Sequence, residues 1–244
     1  MKKISIIIPC YNEKDTIDEI LRRVESVDFL GWEKEIIIVD DFSIDGTRNK
    51  LKKYEDRMKV FYQSKNEGKG TAVMTGAKEA SGDYIIIQDA DLEYNPEEIK
   101  RMLLAIDKGK SDVVYGSRNL SREKRQGFWL PRMGVWGITT FMNILYGVKL
   151  TDVWTCYKLF PKKAVEYLVP GGFEAELLFT SAMLRNGFKI TEVSISHNPR
   201  DVLHGKKIRC YDGFKSFALL FADYLSHLRF LKRLARLELI SKKK

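Results

Sequence analysis

IIIQDADLEYNP, residues 85–96, runs from three isoleucines into Asp89, Asp91 and Glu93 and then into a proline. The apolar run has the length of a buried strand, and Pro96 stands where the first turn of a helix begins. Read as an extended continuation of that strand, the three acids occupy alternate positions and project from one face. Carboxylates crowded in a partly dry cleft disfavour ionisation unless a cation sits among them. Oxygen donors of this kind suit Mg²⁺ or Mn²⁺, and Mg²⁺ typically takes one or two carboxylates, with waters and substrate phosphates completing its shell. The competing reading is that one Asp caps the following helix and the others are solvated, but a cap needs one such residue, not three.

Outward from this stretch, short β-rich runs recur at 4–9, 35–41, 59–63, 84–89 and 112–116, separated by amphipathic stretches near 15–27, 46–55, 70–80 and 96–108. Ile17, Ile20, Leu21 and Val24 have helical spacing. Strands alternating with helices predict an α/β fold with a mainly parallel sheet, whose ligands bind beyond the carboxyl ends of the strands. The polar motifs fall there: PCYNE, DDFSIDGT, NEGKG, DADLE and GSR follow the five strands in turn. Beyond residue 120 the alternation is lost. Residues 133–148 carry no charge, but the run is shorter than the ~20 residues of a spanning helix and includes Thr139, Thr140 and Asn143, so a buried or interfacial helix is expected.

The chain has 244 residues, of which 44% are hydrophobic, enough for one substantial core. No leader pattern precedes the first strand, and a cytosolic start is expected. Three widely spaced cysteines, Cys10, Cys156 and Cys210, give neither zinc-ligand spacing nor a disulfide framework. The net charge of +9 is uneven: from Arg200 onward twelve Lys and Arg face four acids. Such a tail points to an anionic partner, a membrane surface or a nucleic acid. Apolar residues at helical spacing and basic residues predict an amphipathic helix over 211–240, suited to a membrane interface or to packing on the body of the protein.

Gly68, Lys69 and Gly70 precede a helix, a setting for phosphate contact or simply a tight turn; the Walker spacing is absent. Asp40 and Asp41 are candidates for base or ribose contact, although SIDGT also reads as a turn and cap. His197, His204 and His227 all lie late in the chain, and no nucleophilic triad is evident.

PCYNE, VDDFSIDGT, NEGKG, ASGDYIIIQDADLEYNPEEI, VVYGSR and EVSISHNPR…GKKIR…DGFKSF occur in one order along the chain. The set resembles inverting family-2 glycosyltransferases of nucleotide-sugar-binding, Rossmann-like GT-A fold, and within them the synthases that load mannose or glucose onto dolichyl or polyprenyl phosphate. The resemblance implies a GT-A domain over 1–210, with a nucleotide-binding part at 1–118 and an acceptor part at 119–210, and a basic helical tail at 211–244. It implies that Pro9, Tyr11, Glu13 and Asp40 contact the nucleoside, with Asp41 nearby. Lys69 would join the nucleotide-sugar site, and Asp89 and Asp91 would hold Mg²⁺ or Mn²⁺ on the diphosphate. Glu93 stands where mannose synthases often have Gln and would be a third ligand. Arg118 and Arg132 match arginines that hold the acceptor phosphate, and Arg200 and Lys206 match basic groups over the diphosphates. Cys156 and Trp136 depart from the family's usual small residues.

Implied partners are GDP-mannose or UDP-glucose as donor, a polyprenyl or dolichyl phosphate as acceptor, and the cytosolic face of a membrane, with room for a membrane-anchoring partner or a homo-oligomer. A phosphate acceptor is already an anionic nucleophile, with a second pKa of about 6, so no strong base is required. A saccharide hydroxyl would need one, and Glu174 or Glu176 would be the candidates. A third alternative is a non-catalytic nucleotide-sugar or nucleic-acid-binding module. No RNA-recognition aromatic motif is present, and no nucleic-acid partner is expected.

Overall fold

The isoleucine-rich runs IIIP and IIIV are apolar at every position, as strands covered on both faces are. In the computed structural model, which describes residues 1–109, 111–120, 129–172, 174–199 and 217–227, they form the centre of a seven-stranded sheet. The strands are β1 (Lys3–Cys10), β2 (Glu33–Asp40), β3 (Lys59–Tyr62), β4 (Tyr84–Ile87), β5 (Val113–Ser117), β6 (Lys158–Pro161) and β7 (Ile190–Ser194). Their order is β3-β2-β1-β4-β6-β5-β7. All neighbours pair in parallel except β6, which is antiparallel to both β4 and β5.

Helices α1 (Ile17–Ser26), α2 (Thr47–Leu51), α3 (Lys69–Glu79) and α4 (Ile99–Asp107) follow the first four strands. The later part of the chain adds α5 (Trp129–Tyr146), α6 (Glu174–Arg185) and α7 (217–227). Alternation along β1 separates two cores. Ile4, Ile6 and Ile8 pack with Ile17, Ile20, Leu21 and Val24 of α1 and with Ile99, Met102 and Leu103 of α4. Ile7 faces the other way, against Ala72, Val73 and Ala77 of α3 and Phe179 and Met183 of α6. Strand order reverses between β1 and β4, so the crevice at their carboxyl ends is the topological switch point where open α/β sheets bind ligands.

The expected elements appear with shifted ends, β1 and β2 starting earlier and β3 and β4 stopping sooner than expected. The stretch 46–55 is one short helix and a 3-10 turn at Lys52–Tyr54, and Pro96 opens a 3-10 turn before α4. The structure corrects the loss of alternation after residue 120. β6 enters between β4 and β5, and β7 extends the sheet beside β5, so the two halves divided at residue 118 share one sheet. The uncharged run is α5, as expected, with Ile138 and Met142 buried against Leu177 and Leu220. Of the expected tail helix, α7 packs on the body: the rings of Phe217 and Phe221 lie tilted against that of Phe141, and Asp223 accepts from Ser181 Oγ at 2.7 Å. The rest of 211–244 lies outside the described residues. No described helix is long and apolar enough to cross a membrane.

Candidate active site

The turns after β1 and β2 lace together at the crevice. Asn12 and Phe42 are both left-handed, at φ 55° and 66°, a conformation that costs a bulky residue energy and clusters at functional sites. Asn12 N donates to Ser43 Oγ and Ile44 N donates to Asn12 Oδ1, both at 2.9 Å. Pro9 is buried within β1, and Tyr11 follows its end half-buried. Glu13 is buried, its carboxylate accepting from Thr16 Oγ1 at 2.8 Å at the entry to α1.

Asp40 is fully buried, and its Oδ2 accepts from Ser43 N at 3.1 Å and Arg48 Nε at 2.6 Å. Arg48, absent from the sequence reading, lies 5.1 Å from the exposed Phe42 ring and 5.4 Å from that of Tyr62. A cation held between two rings beside an acid is suited to recognising a planar, polar group.

Asp41 ties down the NEGKG loop. Its two oxygens accept from Glu67 N and Gly68 N, each at 2.8 Å, while burial pushes its pKa up. Gly70 N donates to Gly171 O at 2.7 Å, and a Cβ on Gly70 would fall 2.5 Å from that of Ala175. The N–H groups of residues 67, 68 and 70 are thus used inside the protein. The glycines serve a tight turn and a close approach, one of the two readings open to this loop, and the Lys69 side chain is the cationic group of NEGKG.

The stretch that opened the sequence reading is also corrected. It is not extended beyond Ile87: Leu92 is left-handed at φ 64°, and Glu93 N donates to Asp91 Oδ1 at 3.1 Å, closing a turn. Neither Asp caps the next helix; Asn95 does, accepting from Glu97 N at 3.1 Å. The acids therefore diverge. Asp89 pairs with Lys69 Nζ at 2.6 Å, and Glu93 Oε2 lies 2.9 Å from His197 Nε2, which leans on the Tyr94 ring. Among the described residues no group of three His, Cys, Asp or Glu is placed to hold a metal ion, so Glu93 does not complete a three-ligand set. Asp89 and Asp91 still offer oxygen donors on one short turn, and Mg²⁺ typically asks one or two carboxylates of a protein. Those two residues fit a hard divalent cation.

Arg118 follows the end of β5 and is clamped by the fully buried Asp152 at 2.6 Å through Nε and 2.7 Å through Nη2. Asp152 is itself positioned by Glu192 of β7, which accepts from Asp152 N at 2.9 Å and Thr151 N at 2.7 Å. Sequence reasoning missed both acids, since nothing local marks two carboxylates 40 residues apart as partners. Arg118 and the acid loop are electrostatic neighbours. Arg118 senses Tyr94 and Cys156; burial, then Asp89, pushes the Cys156 thiol up to about 12. The side chain of Arg132, and Arg200 and Lys206 altogether, lie outside the described residues, as does His204.

Glu176 is engaged inside the protein rather than facing an acceptor. It is buried, with Oε2 2.8 Å from Lys158 Nζ and Oε1 3.5 Å from Lys69 Nζ. Trp136 and Ile144 are 70% and 74% exposed on α5, close in sequence to Phe141, which carries α7.

Residues 5–169 match the family described as Glycosyl transferase family 2. A dolichol-phosphate mannosyltransferase from Pyrococcus furiosus is 41% identical over 118 residues, 48% of this chain and 33% of that protein. An undecaprenyl-phosphate 4-deoxy-4-formamido-L-arabinose transferase from Edwardsiella ictaluri is 29% identical over 210 residues, 83% of this chain and 62% of that protein. The chain thus spans less than two thirds of the length of either relative. Among solved structures, glucosyl-3-phosphoglycerate synthase from Mycobacterium tuberculosis with Mn²⁺, UDP-glucose and phosphoglyceric acid superposes with a TM-score of 0.69 at 17% identity, over 91% of this chain and 80% of that one. The same enzyme has been crystallised with Mg²⁺ and UDP. This likeness establishes the fold, which is the expected GT-A fold.

Proposed function

This chain belongs to glycosyl transferase family 2, and from that premise we propose that it moves a hexose, mannose or glucose, from a nucleotide diphosphate sugar to a polyprenyl or dolichyl phosphate. The observation that carries the reading is the Lys69–Asp89 ion pair at the switch-point crevice, on a turn that also bears Asp91, together with an arginine, Arg118, clamped by the buried Asp152 after β5. The lipid-phosphate acceptor is supported by the named relatives, and Glu176, a candidate base for a saccharide acceptor, is buried between Lys158 and Lys69.

The nucleoside lies over the ends of β1 and β2, against Pro9, Tyr11 and the corner built by Asp40, Phe42 and Arg48. Glu13 and Asp41 act one layer further in: they fix the turns on which those groups stand. Asp89 and Asp91 would hold Mg²⁺ or Mn²⁺, and such a cation, when bound, would neutralise the charge that develops on the departing nucleoside diphosphate. Lys69 supplies further positive charge on the same side. Arg118, aimed by Asp152, presents a fork suited to a phosphate, and with Arg132 it holds the acceptor. Arg200 and Lys206 cover the diphosphate. The acceptor phosphate, ionised at neutral pH, displaces the diphosphate from the opposite face of the anomeric carbon, so a single displacement inverts that centre and needs no protein base.

A peripheral position on the cytosolic face of a membrane is supported by the lipid tail of such an acceptor, by the exposed Trp136 and Ile144 and by the basic composition of the tail, which favours an anionic surface. Asp91→Ala tests the reading: with the fold verified by circular dichroism, transfer is lost, and transfer at the wild-type rate would remove Asp91 from the site.

A further inference from the structure

Lys69 begins α3 and faces the acid turn. Its Nζ stands 2.6 Å from Asp89 Oδ1 and 3.5 Å from Glu176 Oε1, and the second oxygen of Glu176 is 2.8 Å from Lys158 Nζ. Lys158 is fully buried and also donates to the Thr155 carbonyl. Four charges therefore alternate in sign from the crevice inward: Asp89, Lys69, Glu176, Lys158. Buried ion rows contribute little net stability, because desolvation offsets their attraction, so stability is a weak reason for this one.

The two ends of the row differ. Lys158 and Glu176 sit on β6 and α6, rigid elements. The backbone at Lys69 is equally fixed, with Gly70 N bonded to Gly171 O and Gly171 N donating to Thr71 Oγ1 at 3.1 Å. What can move is the lysine side chain, a point charge on a flexible four-carbon stem. It rests on one of the two carboxylates that fit a divalent cation.

We propose that Lys69 is an exchangeable counter-ion: with the crevice empty it neutralises Asp89, and a divalent cation arriving with the nucleotide displaces it onto the donor diphosphate. Glu176, backed by Lys158, is the fixed inner partner that keeps the lysine poised between the two positions. The inference rests on the donor-binding reading above and names how that site is regulated. Metal alone competes with an internal cation, whereas metal with nucleotide gives that cation a new anion. Binding of the two is thereby coupled, and the coupling is reciprocal.

The test uses the full chain, with Mn²⁺ alone followed by the electron paramagnetic resonance of the free ion, and GDP and UDP titrated calorimetrically at saturating Mn²⁺. Lys69→Met is expected to bind Mn²⁺ alone about tenfold more tightly and nucleoside diphosphate with Mn²⁺ about tenfold more weakly, the scale of one charge-assisted hydrogen bond. Lys69→Arg keeps the cation and the wild-type Mn²⁺ affinity. A loosened fold weakens both ligands, so the opposite signs separate exchange from damage; if Lys69→Met does not fold, Lys69→Gln carries the same expectation. Mn²⁺ binding that is unchanged or weaker in the folded variant overturns the exchange, and unchanged nucleotide affinity overturns the transfer to phosphate. Failure of the wild-type protein to bind either nucleotide with Mn²⁺ overturns the donor-binding reading, and the exchange with it.

Discussion

Asp152→Asn perturbs the acceptor side without altering its shape. Asp152 is fully buried and receives Arg118 Nε at 2.6 Å, Arg118 Nη2 at 2.7 Å and Arg118 N at 3.1 Å. Asparagine keeps one acceptor oxygen, removes the charge, and sets an amide NH₂ against a guanidinium N–H. Removing one member of a buried pair costs about 3–5 kcal/mol, and the partly hydrated Arg118 places this case near the lower end, at about 3 kcal/mol. With a urea m-value of roughly 3 kcal/mol/M, the unfolding midpoint falls by about 1 M. Arg118 then loses its aim. The loss of one charge-assisted contact, about 1.5–3 kcal/mol, lowers kcat/KM for the acceptor by about 10- to 150-fold. Nucleotide affinity, set at β1, β2 and β4, stays at the wild-type value. Tryptophan fluorescence in urea, nucleotide titration and transfer rates against acceptor concentration read the three quantities separately. An unchanged midpoint, or nucleotide affinity falling in step with the acceptor term, would refute the role assigned to Asp152.

Two pH effects follow from groups beyond the acceptor clamp. Burial works upward on Glu35, but hydrogen bonds from Ser5, Ser81 and Lys59 outweigh it and hold the carboxyl at about 2. Against an ordinary value of about 4.3, and discounted for the solvent that partly screens it, this charge adds on the order of 1–2 kcal/mol that is present above about pH 4.3 and lost as pH falls toward 2. Glu35→Gln therefore removes that part of the acid transition followed by circular dichroism, and an unaltered transition would contradict it. Cys156 shows the reverse sign. Its thiol is at about 12 in the fold, mainly through burial, and near about 8.5 when unfolded, so the unfolded chain releases its proton first and stability declines as pH rises between those values. In the folded protein Cys156 stays unmodified by iodoacetamide at pH 8, read by mass spectrometry; rapid alkylation would mean an accessible thiolate.

The first half of the fold was legible because its strands are long apolar runs and its helices carry a clear period, as at Ile17, Ile20, Leu21 and Val24. β6 was not, because KLFP is four residues long, begins with a buried lysine and owes its place to pairing with β4 and β5. The site divides in the same way. Asp89 and Asp91 were legible as a pair at a strand end. The turn at Leu92 was not, since no Gly or Asn marks its left-handed backbone, and reading through it as a strand put Glu93 on the wrong face. Glu93 with His197, Lys69 with Glu176 and Arg118 with Asp152 are contacts across long stretches of chain, set by topology rather than by local pattern. Arg48 escaped notice for a simpler reason: a single arginine after SIDGT reads as a solvated helix residue until Phe42 and Tyr62 are seen on either side of it.

The central claim is sugar transfer to a lipid phosphate. The measurement that tests it most directly is mass spectrometry of lipid products after GDP-mannose and UDP-glucose are offered separately, with polyprenyl phosphate in anionic liposomes, with Mn²⁺ or Mg²⁺ and with EDTA. The account predicts a hexosyl phospholipid from one donor, formed with the cation and abolished by EDTA. No lipid product from a folded protein that binds the nucleotide sugar and glycosylates a saccharide instead would contradict it.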